Sequence, residues 1–198
     1  MDNDGLWLWF GYQSKNQGFK VKDTLNPTSS ERNCHMYYFV RILLIWLLCL
    51  LSVLLHELGH AFGYRISTGK ARWKVIAGSG PNIFSISRYI FRLIPVGGYF
   101  VPEEETKTNK EKIIMLAGGP FVSLLLTVLF GVIRFCIFRF IQSENSLYEI
   151  LLPVSNFLLY FNFFQFLLTI IPMRYRIVCR GLKSDGMQIV HLLKHKEN

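Results

Sequence analysis

Three stretches of this chain stay apolar for longer than an element of a soluble core requires. Residues 42–64 contain one formally charged side chain, Glu57, while residues 113–133 and 150–173 contain none. A helix rises about 1.5 Å per residue and needs roughly 20 residues to cross about 30 Å of hydrocarbon. Each stretch therefore predicts a transmembrane helix with modest tilt. The alternative, three buried helices of a soluble domain, asks for more uninterrupted apolar sequence than so short a chain would use. The apolar run at residues 6–10 is too short to cross. No secretory signal pattern is visible, because the first long apolar run starts far from Met1 and has no small-residue cleavage site behind it.

The connection between the first two stretches has a different pattern. β-Branched and aromatic residues at 73–77 are closed by Gly78-Ser79-Gly80-Pro81, and a second such run follows at 82–99. This predicts a hairpin or small sheet with its turn at those glycines. Residues 103–112 read as a solvated polar connection. The expected fold class is an all-α membrane protein of three transmembrane helices, with a small β-hairpin or sheet in the cytoplasmic loop. Its organisation is a polar N-terminal arm over residues 1–35 and a membrane-embedded unit over residues 36–198.

Composition supports the membrane reading. The chain is 51% hydrophobic and 18% charged, where an ordinary globular domain carries about a quarter charged residues. That disfavours both intrinsic disorder and a freely soluble domain. A net charge of +9 fits either a nucleic-acid partner or the loops of a membrane protein, and the positions of the charges separate the two. Arg65, Lys70, Arg72, Lys74, Arg88, Arg92, Lys107, Lys110 and Lys112 crowd the first connection, and six more basic residues follow residue 173. The second connection starts with Arg134 and Arg139 and turns acidic at Glu144 and Glu149. By the positive-inside rule the 65–112 loop and the C-terminal tail are cytoplasmic, and residues 140–149 lie across the membrane. The lipid bilayer is the expected partner. Without interleaved aromatic and basic residues, no nucleic-acid partner is expected. Cys34, Cys49, Cys136 and Cys179 are widely spaced and form no C-x-x-C pair, so neither a disulfide scaffold nor a cysteine zinc site is indicated.

Chemistry concentrates at the cytoplasmic end of the first stretch, where His56-Glu57-Leu58-Gly59-His60 spells H-E-x-x-H. Side chains four apart share a helix face, so two imidazoles can bind one Zn2+ while Glu57 polarises a water on the metal. Zinc brings the pKa of such a water towards about 7, and a carboxylate takes its proton as it attacks a carbonyl. Ionisable groups inside an apolar span are costly and are functional candidates by default. The bland alternative is a chance cluster of polar residues at a helix end.

A catalytic zinc takes three protein ligands and keeps one position open. Downstream of Glu57 the sole aspartate is Asp185, and the glutamates lie in polar loops or the tail. Orientation removes Glu144 and Glu149. Asp185 followed three residues later by Gln188 also reads as a capping box opening a terminal helix, so spacing alone leaves two roles for Asp185 open. His191 and His195, also four apart, read as one face of a short surface helix, with metal binding the lesser alternative.

Four elements in order resemble the site-2 protease type of intramembrane zinc metalloprotease, peptidase family M50. They are His56-Glu57-Leu58-Gly59-His60-Ala61, Pro95-Val96-Gly97-Gly98-Tyr99, Leu116-Ala117-Gly118-Gly119-Pro120 and Ser184-Asp185-Gly186. The resemblance covers residues 36–190. It implies that the three helices form a catalytic core, that His56, His60 and Asp185 are zinc ligands, and that Glu57 is the general base. The implied reaction is hydrolysis of a peptide bond in or beside a transmembrane segment of a protein or peptide substrate. Two asparagine positions common in the family hold Ser123 and Thr169 here, and Asp185 follows Pro172 at a longer distance than in the family's compact pattern. These departures leave room for a second reading, a membrane-bound immunity or regulatory protein that keeps the scaffold, binds a membrane partner and does not cleave it.

Other residues carry narrower expectations. Gly118 and Gly119 would let helix backbones approach closely, and Pro120 would sit near a helix start, where its missing N–H has no partner to lose. Asn156, Asn162 and Gln165 are expected to hydrogen-bond across helices.

Overall fold

The computed structural model describes residues 29–141, 146–175 and 182–194, with side chains from residue 36 onward except at 146. In chain order the elements are α1 (Ser29–Thr68), β1 (Trp73–Ile86), β2 (Tyr89–Pro102), α2 (Asn109–Phe140), α3 (Ser146–Ile170) and α4 (Asp185–Lys194). The chain divides into two units, Met1–Tyr37 and Tyr38–Asn198. The described part of the first is the opening of α1, and the hairpin, the remaining helices and the candidate site belong to the second. Helices over Met36–Thr68, Asn109–Phe140 and Leu147–Ile170 are long and apolar enough to cross a membrane. Large apolar side chains such as Phe121, Val128, Phe135 and Phe138 stand exposed along α2, and a run of that kind is suited to lipid.

All three helices start before the apolar stretches that announce them. α2 starts at Asn109, inside the segment expected to be a solvated connection, because Thr108-Asn109-Lys110-Glu111 caps it. Thr108 Oγ1 accepts from the Glu111 N–H at 3.2 Å, and Glu111 Oε2 reaches back to the Lys107 N–H at 2.7 Å. This early start moves Pro120 well inside the helix. Its missing N–H therefore removes a helical bond to the Leu116 carbonyl, contrary to the expected place near a helix start. At the far end α2 runs through Arg134 and Arg139 to Phe140. Arg134 is reconciled with an apolar helix by donating from Nε to Asn156 Oδ1 on α3.

The hairpin is present, but its turn is not at Gly78–Pro81. Ile86 pairs with Tyr89, so the turn is Ser87-Arg88, with Ser87 in the left-handed region at φ 54°. The glycines instead bend β1, with Gly78 at φ 88° and Gly80 at φ 80° where the strand register shifts. The bend gives residues 75–77 two neighbours, 98–100 and 89–91. Nor does the hairpin stand off beyond the end of α1. Trp46 Nε1 donates to the Leu93 carbonyl at 2.8 Å, Leu50 and Val53 pack with Ala77 and Phe91, and Tyr64 packs with Trp73 and Phe100. From Trp46 to Tyr64 the helix advances about 27 Å, so the sheet lies along the apolar length of α1.

Helix packing rests on small residues and a few polar links. Gly59 and Gly63 form a G-x-x-x-G step on α1 facing α2. A Cβ at Gly59 would collide with the Gly118 carbonyl, one at Gly118 with the Gly59 carbonyl, and one at Gly63 would lie 2.6 Å from Ile114 O. α3 joins α1 through Cys49, Val154 and Leu158 and through Asn162 Nδ2, which donates to Ser52 Oγ at 3.3 Å. We expect Gly118→Leu to lower the thermal unfolding midpoint of detergent-solubilised protein by several degrees, from an overpacking cost of about 1–3 kcal/mol. Gly131→Ala, whose methyl would meet only Leu159 Cδ1 at 3.7 Å, should leave the midpoint unchanged; equal effects would remove the backbone contact as the packing determinant.

Candidate metal centre

His56 and His60 lie one turn apart on α1, both buried, with their rings edge to face and centroids 4.9 Å apart. Their Nε2 atoms converge at 3.3 Å. The other nitrogens are held by α2. His60 Nδ1 donates to the Met115 carbonyl at 2.9 Å, which fixes the proton on Nδ1 and leaves Nε2 with a free lone pair. His56 Nδ1 lies 2.8 Å from Ser123 Oγ, and a proton there leaves its Nε2 equally free. Imidazoles that ligate metals are oriented in this way by a partner on the second nitrogen.

Asp185 completes the cluster from the far end of the chain. Its Oδ2 is 3.5 Å from His60 Nε2 and 3.8 Å from His56 Nε2. It is the first residue of α4, and the cap of that helix is Ser184: Ser184 Oγ accepts from the Met187 N–H at 3.1 Å and the Met173 N–H at 3.1 Å, and donates to Ile171 O at 2.8 Å. With the capping work done by its neighbour, the Asp185 carboxylate is free to face the imidazoles. Gly186 allows this placement, since a Cβ there would collide with the Ile170 carbonyl. Burial pushes the Asp185 carboxyl above the ordinary carboxylate range, opposed by His60. A charge in that position is ordinarily offset by pairing or by a metal.

The donor set fits a zinc ion. Edges of 3.3, 3.5 and 3.8 Å define a triangle whose corners lie about 2.0 Å from its centre, and zinc bonds to imidazole nitrogen and carboxylate oxygen measure about 2.0–2.2 Å. Among the described residues these three form the group of His, Cys, Asp and Glu side chains compatible with a metal site. Gly119 faces the same point: a Cβ there would strike His60 Nε2 and lie 2.7 Å from His56 Nε2. Glu57 is buried and stands outside the ligand group. Gly98 of β2 passes so close that a Cβ there would lie 2.6 Å from Glu57 Oε1. The cluster opens into a pocket of about 460 Å3 walled by Gly97–Phe100, Met115, Leu116, Gln165, Thr169 and residues 182–185.

The remaining candidates are dispersed. Glu149 lies in the first turn of α3, at the opposite end of that helix from Thr169, which borders the pocket. Glu144 and His195 lie outside the described residues, and His191 is on α4. Ser123 and Thr169 are both committed: Ser123 to His56, and Thr169 to its own helix, donating to Gln165 O at 2.9 Å and Phe166 O at 3.1 Å. The orienting partners Met115 and Ser123 were not found by sequence reasoning. A backbone carbonyl leaves no residue-type signal, and Ser123 stands out only as a serine where the resembling family commonly has asparagine, with nothing in its spacing to link it to His56.

Three membrane-length helices around a buried His–His–Asp cluster, with a glutamate beside it in H-E-x-x-H spacing, define the class of a membrane metallopeptidase scaffold. The chain belongs to peptidase family M50, whose sequence model matches residues 44–193. Family M50 consists in general of zinc metalloproteases of membranes. No curated protein matches the chain, and no solved structure does. If Ser123 orients a ligand, Ser123→Ala should weaken zinc affinity about 10- to 100-fold in a chelator competition. Thr127→Ala, which removes a hydroxyl bonded to its own helix at Ser123 O, should not change it.

Proposed function

We propose that the chain is a zinc-dependent intramembrane endopeptidase that hydrolyses peptide bonds in or near a transmembrane segment of a membrane protein or peptide. The observation that carries this reading is the His56–His60–Asp185 triangle of zinc-binding size, with Glu57 buried at the edge of the same pocket. In this reading His56, His60 and Asp185 hold the ion. Zinc held there would supply Lewis-acid polarisation of the scissile carbonyl and would acidify water. Glu57 takes the proton of the attacking water as the C–O bond forms at the scissile carbonyl. It then delivers that proton to the amide nitrogen as the C–N bond breaks, so one carboxylate serves as base and then acid.

The surroundings suit a peptide chain. Intramembrane backbone groups are bonded within their own helix, so a substrate helix has to open before its peptide bonds reach the site. The segment Gly98–Phe100 on the pocket wall is paired with Val75–Ala77 on its β1 side. An unwound substrate added to the other side of β2 as a strand would lie beside Glu57. The basic residues of the 65–112 connection support a cytoplasmic position for this end of α1, and a membrane-spanning regulatory partner is part of the same reading.

The test is cleavage of a panel of single-span membrane proteins co-expressed with the full chain. Glu57→Gln should reduce cleavage at least about 100-fold while purified protein keeps about one zinc per chain, and His56→Ala should lose both. Zinc bound normally with no cleavage of any panel member would favour the non-cleaving scaffold. For orientation, a reporter fused after residue 198 should be active on the cytoplasmic side only.

A further inference from the structure

Three side-chain amides lie along α3, and two of them are engaged with protein. Asn156 accepts from Arg134, and Asn162 donates to Ser52 Oγ and to Leu158 O at 2.8 Å. Gln165 differs. Its Oε1 is buried without a hydrogen-bond partner, and the residue lines the pocket that holds His56, Glu57 and Asp185. Asn162 Oδ1 is also unbonded, but that residue is fully buried and is not on the pocket wall. The second amide on the wall, Gln188, donates to Lys183 O at 3.3 Å. Ser123 and Thr169, where the resemblance leads one to look for amides, spend their hydroxyls on His56 and on the α3 backbone. Gln165 is therefore, among the described residues, the amide on the pocket wall whose carbonyl oxygen has no partner.

A buried carbonyl oxygen without a partner costs free energy that a ligand recovers by bonding to it. The group that matches a carboxamide is another amide, since each offers one N–H donor face and one carbonyl acceptor face. We propose that Gln165 is a substrate-binding residue that holds a backbone peptide group of the chain to be cut, one turn of α3 from Thr169. This rests on the endopeptidase reading. An unwound membrane segment brings freed N–H and C=O groups into a pocket poor in water, where each needs a partner. Gln165 supplies one without regard to substrate side chains.

Two probes separate this inference from the reading beneath it. Acetohydroxamate reports on the metal alone, and a tripeptide hydroxamate reports on the metal plus the neighbouring wall. Both are titrated calorimetrically into zinc-loaded full-length protein in detergent. Gln165→Met should weaken the tripeptide hydroxamate about 5- to 10-fold and leave acetohydroxamate within about 2-fold, the range of a contact outside the metal site. N-methylating the tripeptide amide nitrogens one at a time should identify one whose methylation weakens binding to the native chain but not to Gln165→Met, a coupling that a merely structural role does not produce. Gln165→Leu carries the same cycle if Gln165→Met does not purify folded. Equal affinities for the tripeptide probe, parallel loss of both probes, or full additivity of methylation and substitution would each overturn the assignment. Failure of acetohydroxamate to bind the zinc-treated native chain would overturn the peptidase reading, and this inference with it.

Discussion

The close approach of α1 and α2 is the constraint on which the rest of the site depends. At Gly59 and Gly118 the two backbones meet with no room for a Cβ on either side. This crossing lies between His56 and His60 in sequence, so the helix that touches α1 also supplies the group that orients each ring, Met115 O for one and Ser123 Oγ for the other. A methyl group between the helices would lengthen both bonds together. Pro120 lies next to the crossing and leaves the Leu116 carbonyl without its helical partner. The second unit thus carries a missing helical bond beside this helix crossing.

How much of this the sequence discloses depends on how local each feature is. The H-E-x-x-H spacing and three apolar stretches are local, and both the helices and the paired imidazoles follow from them. The start of α2 at Asn109 is also local, written in Thr108 and Glu111, but charge masks it because Lys110 and Lys112 make the segment look like a solvated loop. The hairpin turn is harder to read. Gly78-Ser79-Gly80-Pro81 has every turn former, and the structure uses it as a bend because α1 offers Leu50, Val53 and Trp46 as a surface for β1 and β2 to follow. That surface comes from elsewhere in the chain, so no window around residue 80 contains it.

Asp185 shows the same limit more sharply. Ser184 and Asp185 are both competent to cap a helix, and their order on the page does not assign the task. Contacts from the end of α3 and the residue after it decide it: Ile171 accepts from the Ser184 hydroxyl, and Ile170 crowds Gly186. With the serine drawn into the cap, the carboxylate turns toward the histidines. The long Pro172–Asp185 connection is compatible with this placement because the pairing of Arg174 with Lys183 and the bond from Tyr175 N–H to Leu182 O at 2.9 Å draw its two ends together.

The three candidate donors do not belong to one rigid piece of backbone. His56 and His60 move with α1, which is locked to α2 by glycine contacts and to the hairpin through Trp46. Asp185 opens α4, whose first residues are fastened to the end of α3 by Ser184 and Gly186 and whose Ile189 and Leu192 pack against Tyr64, Met115 and Leu116. An ion gripped by all three would act as a rivet between α1 and the start of α4, and binding energy spent at the ion would appear as tertiary closure. Stripping it would cut a cross-link as well as remove a reagent, so that the approach of Asp185 to the two imidazoles, and not the contact of α4 with Ile170, is where the site would loosen first.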